Sequence, residues 1–346
     1  MKDIQSHRKD EHVSLAEHFY QPEAAAGFQE VRLIPNSLPE ISRDQIDLKS
    51  RFGGIVTDYP FYIEAMTGGS TYTGKLNQQL ARIAKATQLP MAVGSQSVAL
   101  KQPEVAETFS IVRKTDPNGI LLANIGPNHS ASDAQKAIDM IDADLLEIHL
   151  NAAQEIVMPE GDRSFDWLAN IREIVQTVTV PVVVKEVGFG MTAQTMQRLQ
   201  SIGVQTVNVA GHGGTNFAKI ENERRHDKAY RAFENYGLTT VESLLESRRS
   251  QSQLHIVACG GIRNALDIVK SLALGAEMVG IAGALLHTLI KQGENETIQL
   301  IQQWQTQLTD LLTLQGVKSP RALNWQNVIL NTDLMTYCQQ RQIPLA

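Results

Sequence analysis

Eight short apolar runs, each followed by a longer stretch of helical spacing, restrict the possible folds of this chain more than any other feature. The runs lie at 60–66, 89–93, 119–124, 145–150, 180–187, 204–209, 254–258 and 277–282. Most are rich in Val, Ile and Leu and bounded by Gly, Pro, Asn or Asp, as strands covered on both faces should be. The helical segments are 73–87, 103–115, 130–141, 165–177, 192–201, 238–248, 263–273 and 284–313. Parallel strands need crossover helices, so this alternation predicts an α/β fold, a (β/α)8 TIM barrel, with an open doubly wound sheet as the alternative. The expected layout is a single domain: an N-terminal extension over 1–50 covering the barrel mouth, the barrel over 51–315, and a C-terminal helical tail over 316–346. The stretch 211–237 is too long for an ordinary connection and is expected to be a structured functional loop at the mouth.

Charge and cysteine content narrow the function classes. With 31 basic and 37 acidic residues the net charge is −6, which gives no general attraction to nucleic acid or to an anionic membrane. A small polyanion can still be met by a local basic cluster. The two cysteines, Cys259 and Cys338, supply neither a disulfide framework nor a metal cluster, and Cys259 in its apolar run reads as a buried thiol. The opening MKDIQSHRKDEH is charged with no apolar segment behind it, so no secretory signal is expected. No apolar run approaches the length of about 18 residues that a membrane span needs. A cytoplasmic protein is expected.

Side chains alternate faces along a strand, so parity separates lumen from helix-facing positions. In the fourth run Leu146, Ile148 and Leu150 should meet the outer helices, which turns Glu147, His149 and then Asn151 inward. Asn124, Lys185 and Asn208 fall late in the third, fifth and sixth runs. Polar groups therefore gather at the C-terminal ends of the strands, where barrel active sites are built. A single His149 or Asn208 reads equally well as a satisfied core group; several converging favour a site. Lys185, beside Val182, Val183 and Val184, needs an anion or an electron-rich ring opposite it. After the seventh and eighth runs come Cys259-Gly260-Gly261-Ile262-Arg263 and Gly280-Ile281-Ala282-Gly283, and after the sixth Gly211-His212-Gly213-Gly214-Thr215. Glycine loops there suit phosphate binding, helped by the positive end of a helix beginning near Asn264. By composition alone, His7 to His12 reads as a solvated terminus, and Glu155 as a surface charge.

The motifs, taken in order, resemble the type II isopentenyl-diphosphate isomerase family along nearly the whole chain. They are Arg8-Lys9-Asp10-Glu11-His12, Ala65-Met66-Thr67-Gly68-Gly69, Val93-Gly94-Ser95-Gln96, Ala123-Asn124-Ile125-Gly126, His149-Leu150-Asn151 and Gln154-Glu155. They continue with Met158-Pro159-Glu160-Gly161-Asp162-Arg163, Lys185-Glu186-Val187-Gly188-Phe189-Gly190, Gly213-Gly214-Thr215-Asn216-Phe217, Ile220-Glu221-Asn222 and the last glycine loops. The resemblance implies an FMN-binding barrel that interconverts isopentenyl and dimethylallyl diphosphate with reduced FMN, Mg2+ and NADPH as reductant. It implies that Ala65, Met66, Thr67, Ser95, Asn124, Lys185 and Thr215 line the flavin, with Gly261, Ile262, Arg263, Ala282 and Gly283 around its phosphate. It implies that Arg8, Lys9, Ser95, Gln96, Ser97, His149, Asn151 and Gln154 bind the substrate, that Glu155 holds Mg2+, and that Gln154 and Lys185 serve catalysis. A homo-oligomer, tetramer or octamer, is also expected. Two departures stand out: His212 in the variable position of its glycine loop, and Ser97 where many members carry a longer polar or basic group.

The residues offer no obvious carboxylate or histidine pair for acid–base work, which agrees with a cofactor carrying the chemistry. The competing enzyme reading is an FMN-dependent 2-hydroxy-acid oxidase-like oxidoreductase; it needs a His–Arg arrangement for a carboxylate. An idle flavin-binding barrel is the non-enzymatic reading, and it has no use for Arg8, Lys9, Gln154 and Glu155.

Overall fold

A computed structural model of the chain describes residues 4–23, 25–250 and 253–345. The eight apolar runs form β1 (Phe61–Ile63), β2 (Met91–Ala92), β3 (Leu121–Ile125), β4 (Leu145–His149), β5 (Val182–Lys185), β6 (Thr206–Asn208), β7 (His255–Cys259) and β8 (Met278–Ile281). They close into a barrel in sequence order, with β8 paired to β1 and every ladder parallel. Parity holds: Leu146 and Ile148 pack outward in the core beneath the helices, while Leu145 belongs to the lumen cluster. In that cluster Tyr62, Ala92, Leu122, Val183, Val257 and Met278 meet at the lower end of the barrel. Its floor is a hairpin, Ser50–Phe52 against Ile55–Thr57, which puts the buried Phe52 ring 4.7 Å from that of Tyr62.

The outer helices follow the expected segments with two changes. The segment 284–313 is broken: Gly283–Gln292 and Glu294–Gln315 are separate helices joined at Gly293. At φ 97° and ψ −177° that residue occupies a region essentially reserved for glycine, where an α-helix cannot continue. The segment 103–115 opens with a 3-10 turn, Pro103–Val105, before the helix Glu107–Thr115. The loop 211–237 is structured, holding the helix Phe217–Arg224 and the turn Arg231–Asn235. The extension and the tail are joined to each other, because Val31–Leu33 pairs antiparallel with Val328–Leu330 ahead of the helix Thr332–Arg341. No helix among the described residues is long and apolar enough to cross a membrane.

Candidate active site

Above the apolar lumen layer the barrel turns polar, and the strand register dictates which groups meet. The Tyr62 hydroxyl lies 2.7 Å from Glu64 Oε2 and 3.1 Å from Glu147 Oε1. Asn208 donates from Nδ2 to the Tyr62 oxygen at 3.0 Å, and Asn124 donates from Nδ2 to Glu147 Oε2 at 2.8 Å. These groups are all buried, so each depends on the others to replace water. Lys185 ends β5 with its ammonium 3.9 Å from Glu64 Oε1 and 3.1 Å from the Glu186 carbonyl oxygen. Burial opposes its charge, but Glu64 and Glu147 outweigh that, so its pKa rises and Lys185 stays an ammonium. Burial, reinforced by Glu64, pushes the Glu147 carboxyl well above its usual range.

His149 takes its state from this network. Because the Asn124 amide nitrogen is committed to Glu147, its Oδ1 faces His149 Nδ1 at 2.9 Å, and that nitrogen must carry the proton. Nε2 is left as a lone-pair acceptor. Burial, then Lys185, Lys9 and His129, lower the imidazole pKa to about 3, so the ring is neutral.

A cavity of about 960 Å³ opens above this layer, near the top of the usual range for ligand sites. The helix Ile4–His18 lies across it. This helix carries no continuous apolar stripe, with Val13 its one buried core residue among the described side chains, which would leave it unstable alone. Here its charges find partners in the segments that follow five different strands, β1, β2, β4, β6 and β8. Lys9 Nζ donates to the Ser95 carbonyl at 3.1 Å, and Asp10 accepts from Ser70 Oγ. Glu11 meets Arg224 at 3.1 Å, and His12 meets Glu221 at 3.0 Å. Arg8 lies 3.5 Å from Glu160, and Glu17 takes His287 at 2.9 Å. The solvated-terminus reading is thereby replaced for 8–12, while His7 stays exposed: docking, not hydrophobicity, holds the segment.

Two further residues are aimed by their neighbours. Gln154 donates from Nε2 to Glu221 Oε1 at 2.8 Å. Burial works against the Glu221 charge, yet the His12 contact, Gln154 and Arg224 hold it down to about 2, so it is a pure acceptor and fixes the amide orientation. Glu155 receives the Asn151 amide at 2.9 Å and the Asp162 N–H at 2.7 Å, one on each oxygen, which holds the carboxylate at the cavity wall. The sequence reading gives no role to Glu221, which it quotes only within Ile220-Glu221-Asn222, nor to Glu64. Glu64 was legible, since Phe61 and Ile63 face the helices and the same parity turns Tyr62 and Glu64 inward.

Most of the expected site residues line this one cavity: Arg8, Lys9, Ala65, Met66, Ser95, Ser97, Asn124, His149, Asn151, Gln154, Glu155, Lys185, Thr215, Gly261, Ile262, Arg263, Ala282 and Gly283. Gln96 and Thr67 do not. The Gln96 amide is spent on the Asn124 N–H at 2.9 Å and the Ala137 carbonyl at 2.8 Å, behind the wall. The Thr67 hydroxyl is turned to Asn77 at 2.5 Å. Both side chains are engaged within the loops and do not line the cavity. His212 likewise turns away, to the Glu234 carbonyl at 3.1 Å.

The phosphate cradle also differs in one respect from the expectation. The helix behind Asn264 is closed on itself: Asn264 caps the Asp267 N–H at 2.9 Å, and Asp267 takes the Arg263 N–H at 3.2 Å. The helix end open toward the cavity is that of Gly283–Gln292, whose Ala282 cap makes no side-chain hydrogen bond. A Cβ on Gly214 would stand 2.8 Å from the Gly261 nitrogen, and one on Gly261 would stand 2.6 Å from Ala26 Cβ. Backbone packed this closely, with an uncapped helix end beside it, is a cradle for an anion such as a flavin phosphate. Arg263 stacks 4.8 Å over the Tyr20 ring, and Tyr20 stacks on His287 at 4.0 Å, closing that end.

The comparisons agree with this geometry. The family model of FMN-dependent dehydrogenases matches residues 101–330. An isopentenyl-diphosphate delta-isomerase of Latilactobacillus sakei is 52% identical, covering 99% of this chain and 98% of the relative. The chain belongs to the isopentenyl-diphosphate delta-isomerases. A relative of that name from Lacticaseibacillus paracasei is 51% identical over 98% of each chain, and one from Listeria welshimeri is 45% identical over 99% and 96%. Among solved structures, a chimeric (S)-mandelate dehydrogenase variant superposes with a TM-score of 0.67 at 18% identity, over 93% of this chain and 99% of that one. A flavocytochrome b2 variant gives 0.67 at 17%, over 92% and 83%. These last two share the barrel of the isomerase family; their chemistry is not transferred. The residues present fit the FMN that the family uses, with Lys185 in the wall and the cradle of Gly261 and Gly283 at one end.

Proposed function

We propose that this isomerase interconverts isopentenyl and dimethylallyl diphosphate, using FMN reduced by NADPH and a Mg2+ ion held with the substrate. The observation that carries the reading is that Arg8, Lys9, Gln154 and Glu155, none of which a flavin requires, line the same cavity as Lys185. Reduced FMN supplies an electron-rich, proton-exchanging surface against which an alkene gains or loses a proton. The chain's own residues do the rest. Lys185 supplies positive charge at the floor, held there by Glu64. Gln154 presents an amide whose orientation Glu221 imposes. Arg8 and Lys9, on a helix lying over the mouth, neutralise the diphosphate and exclude water, which strengthens every electrostatic contact inside. Glu155 is a carboxylate at the substrate side, and a single carboxylate together with substrate phosphates is a usual way to hold Mg2+.

The test is to incubate the protein with FMN, NADPH, Mg2+ and isopentenyl diphosphate. Dimethylallyl diphosphate should form, with many product molecules per NADPH consumed. Product and NADP+ accumulating one for one would mean that each turnover consumes the flavin's electrons, a net redox reaction rather than an isomerisation. Glu155→Gln should raise the Mg2+ concentration needed for half-maximal rate by about ten-fold or more, because a charged ligand becomes neutral. Its FMN content should not change. An unaltered Mg2+ dependence would remove Glu155 from the metal site.

A further inference from the structure

Between the loops that follow β2 and β3 a chain of side chains links Ser95 and Ser97 to His129 and Asp133, two residues without a role so far. The hydroxyl oxygens of Ser95 and Ser97 lie 3.0 Å apart, and His129 Nε2 lies 2.8 Å from Ser97 Oγ. On the other side of the ring, His129 Nδ1 is 3.8 Å from Asp133 Oδ2, in the first turn of the helix Ala131–Ile141. Ser95, Ser97, Lys101 and His129 all line the cavity, on the side where Lys9 reaches the Ser95 carbonyl.

Lys9, Lys101, His129 and His149 therefore bring positive or protonatable groups to one space. Burial lowers Lys9 to about 7, with Arg8 adding to it, and lowers His149 to about 3, with Lys185, Lys9 and His129 adding. Burial also lowers His129, with Asp133 resisting and Lys101 assisting. Asp133 is itself shared with Lys136 at 3.2 Å. Mutual suppression of this kind is relieved when a multiply charged anion enters. An imidazolium at 129 would have a carboxylate facing Nδ1–H and the Ser97 oxygen facing Nε2–H. With its oxygen so occupied, the Ser97 hydroxyl must donate onward, to Ser95 or to a ligand.

We propose that His129 is a positioning residue for the substrate's diphosphate, taking up a proton on binding and setting the Ser97 and Ser95 hydroxyls as donors toward phosphate oxygens. The proposal rests on the isomerase reading for the identity of the anion. His129→Gln in the FMN-loaded enzyme removes the charge while keeping a donor. KM for isopentenyl diphosphate should rise about ten-fold, the order expected for one charge-assisted contact, with kcat within about two-fold. Calorimetric titration with inorganic diphosphate and Mg2+ near pH 7, in two buffers of different ionisation enthalpy, counts the protons taken up. Lys9 contributes to both counts, so the excess of wild type over His129→Gln, approaching one proton, isolates the imidazole. Asp133→Asn, which leaves the ring in place, should reduce the count as well. Equal counts would overturn the proposal, as would an unchanged KM or a variant defective only in kcat and FMN content. If wild type shows the excess uptake yet leaves isopentenyl diphosphate unchanged when reduced, the isomerase reading fails and the anion site at His129 stands.

Discussion

Lys185→Met is expected to lower isomerisation by roughly a hundred- to a thousand-fold, the range for losing one preorganised electrostatic stabiliser. The ammonium is nearly shielded from solvent, at 7% side-chain exposure against 2% for Glu64, so no water replaces it. The same change leaves Glu64 buried without its cation, and breaking such a pair typically costs about 3–5 kcal/mol of stability. The two effects separate in the double variant. Glu64→Gln added to Lys185→Met should recover thermal stability, because the carboxylate stranded without its cation is gone, and should not recover turnover. Rates near wild type in the single variant would show that Lys185 serves only to neutralise Glu64.

The second large effect concerns the N-terminal helix. Arg8→Ala and Lys9→Ala should each reduce kcat/KM by about ten- to more than a hundred-fold, since a charge-assisted contact to diphosphate is worth about 1.5–3 kcal/mol. FMN affinity should change little, because the cradle of Gly261 and Gly283 lies elsewhere along the cavity wall. Lys9 also predicts a pH profile. Burial first, and Arg8 second, lower its pKa to about 7, so in the free enzyme the amine loses its proton as pH rises through that value. Diphosphate selects the ammonium. KM should therefore be flat below about pH 7 and climb above it, and Lys9→Ala should flatten that climb. Near-normal kinetics in both variants, with the wild-type pH profile retained, would mean that the helix covers the mouth without touching substrate.

Local periodicity carried much of this protein. The eight runs became the eight strands because parallel strands covered on both faces leave a nearly continuous apolar record, and each lies within a few residues of its expected bounds. Parity sent Glu147, His149 and Lys185 inward and would have sent Glu64 with them. A side chain's face is a property of its own strand, so it can be read without knowing the neighbours. What a side chain touches is not. Gln96 and Thr67 stand inside site motifs, yet their bonds to Asn124, Ala137 and Asn77 turn them behind the wall. The open helix end is at Gly283 rather than Asn264 because Asp267 folds back on its own turn. The helix 4–18 has no apolar stripe to announce it, and only the ring of loops at the mouth supplies partners for its charges. The meeting of His129 with Ser97 joins the loops of two strands, a contact that exists once the barrel has closed and the register has brought those strand ends together.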